Sequence, residues 1–254
     1  MVRGCGDGKM KKILAIDIGN TNITVGLFEG KALLKRSKIS TGDISIYAKK
    51  FATILRRGVD EAVISSVAPL VLARVICELR KISPGLRIIV LGKDKIVPII
   101  NLYRRRKEVG QDRLVNAFGA LKMYGAPAII VDFGTAITFD VVSPKGCYLG
   151  GLILPGIAMG LRSLYEKTAL LPKVELKRAA SIIGKDTVNS MRAGILFGYG
   201  AMCDGLIAKY RKLLGGGLKV IATGGDATLI KSYSRSIDTV DQDLTIKGLA
   251  LIAE

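Results

Sequence analysis

Two stretches of this chain repeat one run of apolar and polar positions. In residues 13–28, Ile13-Leu-Ala-Ile precedes Asp17, Gly19-Asn20-Thr21-Asn22 interrupts, and Ile23, Val25, Leu27 and Phe28 resume the apolar pattern. In residues 128–142, Ala128-Ile-Ile-Val precedes Asp132, Gly134-Thr135 interrupts, and β-branched and aromatic residues return as far as Val142. Each reads as a β-branched strand ending in Asp-x-Gly, a tight polar turn and a second strand. The two aspartates stand close to half the chain apart. That spacing points to two related domains rather than a solenoid, whose period would be about 20 to 50 residues.

Between the repeats, helical and strand patterns alternate. Helices are predicted over 45–57, 69–81 and 113–124, the second with Pro69 in its first turn, where a missing N–H costs little. Leu114, Phe118, Leu121 and Met123 give the third its apolar side. Strands are predicted over 61–67 and 86–91. After the second repeat come a strand at 148–154, a helix from 157, a long helix over 187–214, a strand at 219–223, a helix from 227 and a last helix. The long helix carries a row of small residues, Gly194, Gly198, Ala201 and Gly205, which predicts close backbone packing. The expected class is α/β: two related domains, each a mixed sheet with helices on it, divided into 1–116 and 117–254.

Composition narrows the chemistry. At 254 residues, 49% hydrophobic and 24% charged, the chain is that of a folded soluble protein. No apolar run approaches the roughly 18 to 20 residues of a membrane span, and the apolar run after Lys9, Lys11 and Lys12 ends at Asp17, too soon for a secretory leader. A cytoplasmic location is expected. Cys5, Cys77, Cys147 and Cys203 stand singly and are expected to pack as small hydrophobes in a reducing compartment. Histidine is absent, which removes imidazole bases, Ser-His-Asp triads and H-E-x-x-H metal sites; a proton acceptor would be a carboxylate. The net charge of +18, with basic clusters at 31–38, 49–57 and 104–107, favours anionic partners without choosing among them.

A hairpin bend such as Gly19-Asn20-Thr21-Asn22 can turn backbone N–H, hydroxyl and amide groups toward one point, as a phosphate chain requires. Asp17 beside it would repel phosphate, but suits a hydrated Mg²⁺ that neutralises one. Gly134-Thr135 after Asp132 repeats the arrangement, and the two loops are expected to hold an ATP tail across a cleft. One Asp-x-Gly alone would be an ordinary turn; two with matching strand context are not. A P-loop and a G-x-G-x-x-G fingerprint are both missing. Gly224-Gly225, opening a helix after a strand, is a candidate contact on the adenosine side.

These residues resemble the type III pantothenate kinases of the acetate kinase, sugar kinase and actin-like superfamily. The resemblance rests on Asp17-Ile-Gly-Asn-Thr-Asn22, Gly110-Gln-Asp-Arg113, Asp132-Phe-Gly-Thr-Ala-Ile-Thr-Phe-Asp140, Gly150-Gly-Leu-Ile-Leu-Pro-Gly156, Thr168-Ala-Leu-Leu-Pro172, Ile183-Gly-Lys-Asp-Thr187 and Thr223-Gly-Gly225. It implies two actin-like, ribonuclease H-like domains and ATP-dependent phosphorylation of the primary hydroxyl of pantothenate, the first step of coenzyme A synthesis. It also implies Asp112 as general base, and ATP contacts from Asp17, Ile18, Gly19, Asn20, Thr21, Asn22, Ile23, Thr24 and Thr135. Tyr103, Gly110, Gln111, Asp112, Arg113 and Thr187 would contact pantothenate. A monovalent cation, K⁺ or ammonium, would be held at Asp132 and Mg²⁺ near Asp17 through water. The family forms homodimers. Gln111 departs from the small residue common at its position, the run 104–107 is unusual, and the first dozen residues have no counterpart. The rival readings are a related kinase of another small metabolite, and a non-catalytic regulatory or nucleic-acid-binding protein on the same fold.

Overall fold

The computed structural model describes residues 10–43 and 45–253. Cys5, Lys9 and the rest of the leading segment lie outside the described residues.

The first hairpin joins β1 (Lys12–Ile18) to β2 (Asn22–Glu29), and β3 (Ala32–Ser40) pairs with β2. After α1 (Ser45–Leu55) come β4 (Glu61–Ser66), α2 (Pro69–Ile82) and β5 (Arg87–Val90). β4 pairs parallel with β1 and β5 parallel with β4, so the sheet order is β3-β2-β1-β4-β5. A 3₁₀ turn (Arg106–Glu108) precedes α3 (Gln111–Tyr124). The second hairpin follows as β6 (Ala128–Phe133) and β7 (Ala136–Val142), with β8 (Tyr148–Pro155) antiparallel to β7. After α4 (Ile157–Lys167) and α5 (Thr187–Leu214), β9 (Lys219–Thr223), α6 (Ala227–Lys231), β10 (Thr239–Val240) and α7 (Leu244–Ala253) complete the chain. β9 is parallel to β6 and β10 parallel to β9, giving β8-β7-β6-β9-β10. The two sheets have one strand order, three antiparallel strands followed by two parallel ones. This is the repeated ribonuclease H-like sheet of the actin-like fold.

Residues 10–98, 110–115 and 245–253 form one compact unit, and residues 99–109 and 116–244 the other. The division is therefore not one cut at 116/117. The chain passes between units at Val115/Asn116, but also at Pro98/Ile99, and α7 belongs with the first unit. The reason is apolar: Ile246 sits against Gly26 of β2, where a Cβ would lie 2.9 Å from its Cδ1.

Each core follows from its sheet. In the first unit Leu14, Ile16, Val25, Ile64, Tyr47, Phe51, Val75 and Leu79 are buried together between strands and helices. In the second, Ile129, Val131, Phe133, Phe139, Leu196, Cys203 and Ile207 do the same.

Several expectations need correcting. β3 falls on a segment read only as a basic cluster, because its alternation is of half-buried and exposed residues; it is an edge strand, where lysines are at home. Met123 is exposed rather than on the apolar side of α3. Gly194, Gly198, Ala201 and Gly205 are exposed, and a Cβ on any of the three glycines would meet nothing within 4 Å. Among the described residues, none therefore packs on these three glycines. Cys203 is buried, with its thiol pushed up to about 12 by burial and the charge of Asp204, but Cys77 is exposed. Among the described residues, no helix is long and apolar enough to cross a membrane.

Candidate active site

In the first unit, Asp17 lies next to the end of β1, in register with Thr24 of β2 and Ser65 of β4. Register partners on neighbouring strands share a face, so these three oxygen-bearing side chains form one row. Beyond it the bend closes with Gly19 N donating to the Asn22 carbonyl at 3.0 Å. Thr41 ties the bend down: its hydroxyl donates to the Asn20 carbonyl at 2.8 Å and its N–H to the Thr21 carbonyl at 3.0 Å. With those carbonyls occupied, the bend offers the exposed residues Asn20 and Thr21 to an incoming anion. Ile18 and Ile23 are fully buried in the core, so only their backbone is left for a ligand. Thr41, twenty residues downstream, carried no signal in the sequence.

Asp112 stands in the first turn of α3. Its Oδ1 accepts from the N–H of Arg113 at 2.9 Å and lies over the Cα of Gly110, where a Cβ would come within 2.4 Å. Gly110 in turn faces Val67, just past β4. Burial raises the pKa of Asp112, opposed by the Arg113 N–H and the Arg113 charge. A carboxylate so placed is a stronger base than an exposed one. Arg113 is buried, and Gln111 turns its amide onto Gly92 in the bend after β5.

In the second unit, Asp132 lies near the end of β6. Asn116 of α3 donates its side-chain amide to Asp132 Oδ2 at 3.1 Å. Gly224, in the bend after β9, has φ +91° and approaches so closely that a Cβ would lie 2.5 Å from Asp132 Oδ1 and 2.6 Å from the Phe133 carbonyl oxygen. Both oxygens thus pack directly on the glycine, an approach that any side chain there would prevent. Thr135 is exposed, and its carbonyl rests on Gly156 at the start of α4. Directly after Gly224-Gly225, Asp226 borders a hollow of about 330 Å³ lined also by Ala158, Arg162, Tyr165 and Lys173. It could take a nucleoside.

Tyr103 is half-buried, its ring over Gly150 of β8 and its centroid 6.5 Å from that of Tyr148. Thr187, by contrast, is exposed in the first turn of α5, next to the cap Asp186, which accepts from Asn189 N at 2.9 Å. Asn116 is 1% exposed on its helix and so needs the polar partner it has in Asp132, but its burial carries no sign in the sequence.

Among the described residues no three acidic or thiol side chains cluster to hold a metal. A divalent ion near Asp17 would therefore be held by one carboxylate, water and phosphate, which is how Mg²⁺ is commonly bound.

Comparison with known proteins bears on the family and the fold. The model of the type III pantothenate kinase family matches residues 13–209. A type III pantothenate kinase from Myxococcus xanthus is 41% identical over 94% of this chain and 97% of its own. Another, from Moorella thermoacetica, is 40% identical over 95% and 98%. Among solved structures, the ethanolamine utilization protein EutJ from Carboxydothermus hydrogenoformans superposes with a TM-score of 0.55 at 15% identity, covering 94% of this chain and 89% of that one. A Baf family protein from Campylobacter jejuni gives 0.54 at 20% identity, covering 94% and 95%. At such identities the structures speak for the fold alone, whereas the sequence matches span nearly the whole chain and decide the family. This chain belongs to the type III pantothenate kinases.

Proposed function

We propose that this chain transfers the γ-phosphoryl group of ATP to the primary hydroxyl of pantothenate, with Asp112 as general base. The hydroxyl oxygen forms a bond to the γ-phosphorus, its proton passes to the Asp112 carboxylate, and the bond to the bridging oxygen breaks to release ADP. The observation that carries this reading is the carboxyl of Asp112 at the N-terminus of α3, folded over Gly110 and held basic by burial.

The loop from Asp17 to Thr24 and Thr135 bind the phosphates in this reading, and the hollow beside Asp226 takes the adenosine side. Asp17 would hold Mg²⁺ through water and Asp132 would hold K⁺ or ammonium, and their positive charge would stabilise the transferring group. Arg113 offers its guanidinium fork to the pantothenate carboxylate, with Tyr103, Gly110, Gln111 and Thr187 completing the substrate contacts. A homodimer is part of the proposal. The exposed row Gly194, Gly198, Ala201, Gly205 and Ala208 on α5 admits close approach of a second helix. The setting is the cytoplasm, as the single cysteines suggest.

An ADP-release assay tests the whole reading. Release should require pantothenate and be faster in K⁺ than in Na⁺ buffer. Equal release with acetate or a simple sugar in place of pantothenate would move the chain to another substrate.

A further inference from the structure

We infer that the buried pair Tyr148–Asp140 positions Tyr103 for the phosphoryl acceptor, and that Gly150 sets where its ring lies. This rests on the reading above that Tyr103 contacts pantothenate.

Tyr148 and Asp140 are both fully buried. The Tyr148 hydroxyl donates to Asp140 Oδ1 at 2.8 Å, and the Thr138 hydroxyl donates to Oδ2 at 2.9 Å. The proposed reaction uses none of these three groups. A buried carboxylate is costly to keep, and an apolar pair would fill the same space, so a directional role is the more economical account. The direction is toward residues 100–103. Tyr148 N donates to the Ile100 carbonyl at 2.8 Å, and Leu102 N donates to the Tyr148 carbonyl at 2.9 Å. That segment is thereby tied to the start of β8 by a single parallel bridge between Asn101 and Tyr148. Tyr103 N then donates to Asn101 Oδ1 at 2.9 Å, which fixes the backbone from which the ring departs.

The ring itself is set by Gly150. A Cβ there would lie 2.9 Å from Cδ2 and 3.0 Å from Cε2 of Tyr103, and φ is +113°, a conformation that suits glycine. Residues 104–108, immediately after, are exposed. The ring meets Gly150 and Tyr148 of β8, so the hold described comes through that strand. Tyr148 and Gly150 are positioning residues, acting through Tyr103.

The experiment compares Tyr103→Ala, Tyr148→Phe, Gly150→Ala and the double variant Tyr103→Ala/Tyr148→Phe in the intact enzyme. It reads kcat, KM for pantothenate, KM for ATP and melting temperature. Tyr103→Ala should raise KM for pantothenate. Tyr148→Phe should raise it roughly two- to tenfold, the span of one hydrogen bond's net worth, while KM for ATP and kcat stay within about twofold. In the Tyr103→Ala background Tyr148→Phe should add little. Gly150→Ala leaves the Tyr148–Asp140 bond in place yet displaces the ring, so it should show the same selective rise even if Tyr148→Phe folds poorly. If Tyr103→Ala leaves KM for pantothenate unchanged, the reading of Tyr103 falls and the inference with it. If Tyr103→Ala raises it but Tyr148→Phe and Gly150→Ala do not, or if Tyr148→Phe acts in full on top of Tyr103→Ala, the inference alone is overturned. A rise in both KM values together with a lower melting temperature would mark Tyr148 as merely structural, and would overturn it too.

Discussion

Asn116 and Asp132 are joined by a 3.1 Å hydrogen bond from a buried helical amide to a carboxylate at a strand end. Bonds of this kind to a charged group contribute about 1.5–3 kcal/mol. Asn116→Ala should lower stability by about that amount and raise the K⁺ concentration needed for half-maximal rate. Thermal melts and a K⁺ titration check it. Unchanged values in both would leave the bond without consequence for the proposed cation site.

Asp112→Asn should lower kcat by about 10²- to 10⁴-fold, the usual worth of a general base, with ATP binding nearly intact. Stability should move the other way. The folded-state pKa of Asp112 is raised, so the ionised carboxyl costs stability above that pKa, and the cost is relieved as pH falls. An uncharged Asn should therefore melt no lower than the parent at neutral pH. Full turnover by the variant would remove Asp112 from the base's role.

The pH–rate profile carries the same sign. Protonated Asp112 cannot accept the hydroxyl proton, so kcat/KM should fall on the acid side, with its midpoint raised above that of an exposed aspartate because burial favours the neutral form. A midpoint at or below that of an exposed aspartate would contradict the raised pKa.

Arg104, Arg105, Arg106 and Lys107 are all exposed, with Arg105 paired to Glu108 at 3.0 Å, and they follow Tyr103 directly. Replacing all four with Ser should lower kcat/KM mainly at low salt, where steering of anions is strongest. If the salt dependence is unaltered, the run is only a solvated face.

Gly198→Glu tests the exposed row on α5. A charged side chain there should shift the enzyme from dimer to monomer in sedimentation, while leaving the protomer's own packing undisturbed, since a Cβ at Gly198 meets nothing within 4 Å. A monomeric parent, or a variant that still dimerises, would put the subunit interface elsewhere.

Much of this was legible in the sequence for a physical reason. β1–β2 and β6–β7 have apolar runs rich in β-branched residues and an Asp-x-Gly bend, so local pattern and final fold agree. The bounds of α5 and β9 were likewise plain. β3 was not, because an edge strand needs no apolar alternation and its lysines and arginine look like any charged surface. Thr41, Asn116 and Tyr148 were missed because each acts on a partner distant in sequence or on another element, and one residue type in one place gives no sign of that partner. The small residues of α5 mark a surface that a helix can approach closely, but their spacing does not tell whether the same protomer supplies that helix.

The placing of α7 with the first unit bears on how the molecule is made. Ile246 covers Gly26, and the Lys95 ammonium donates to the Ile252 carbonyl, so β1–β5 lack part of their packing until the last of the described helices has left the ribosome. The earliest strands to be synthesised thus wait longest for completion, and the vectorial order of translation does not give the order of maturation. Nascent chains stalled before residue 244 should expose protease-sensitive sites in the amino-terminal half that vanish on release of the whole polypeptide.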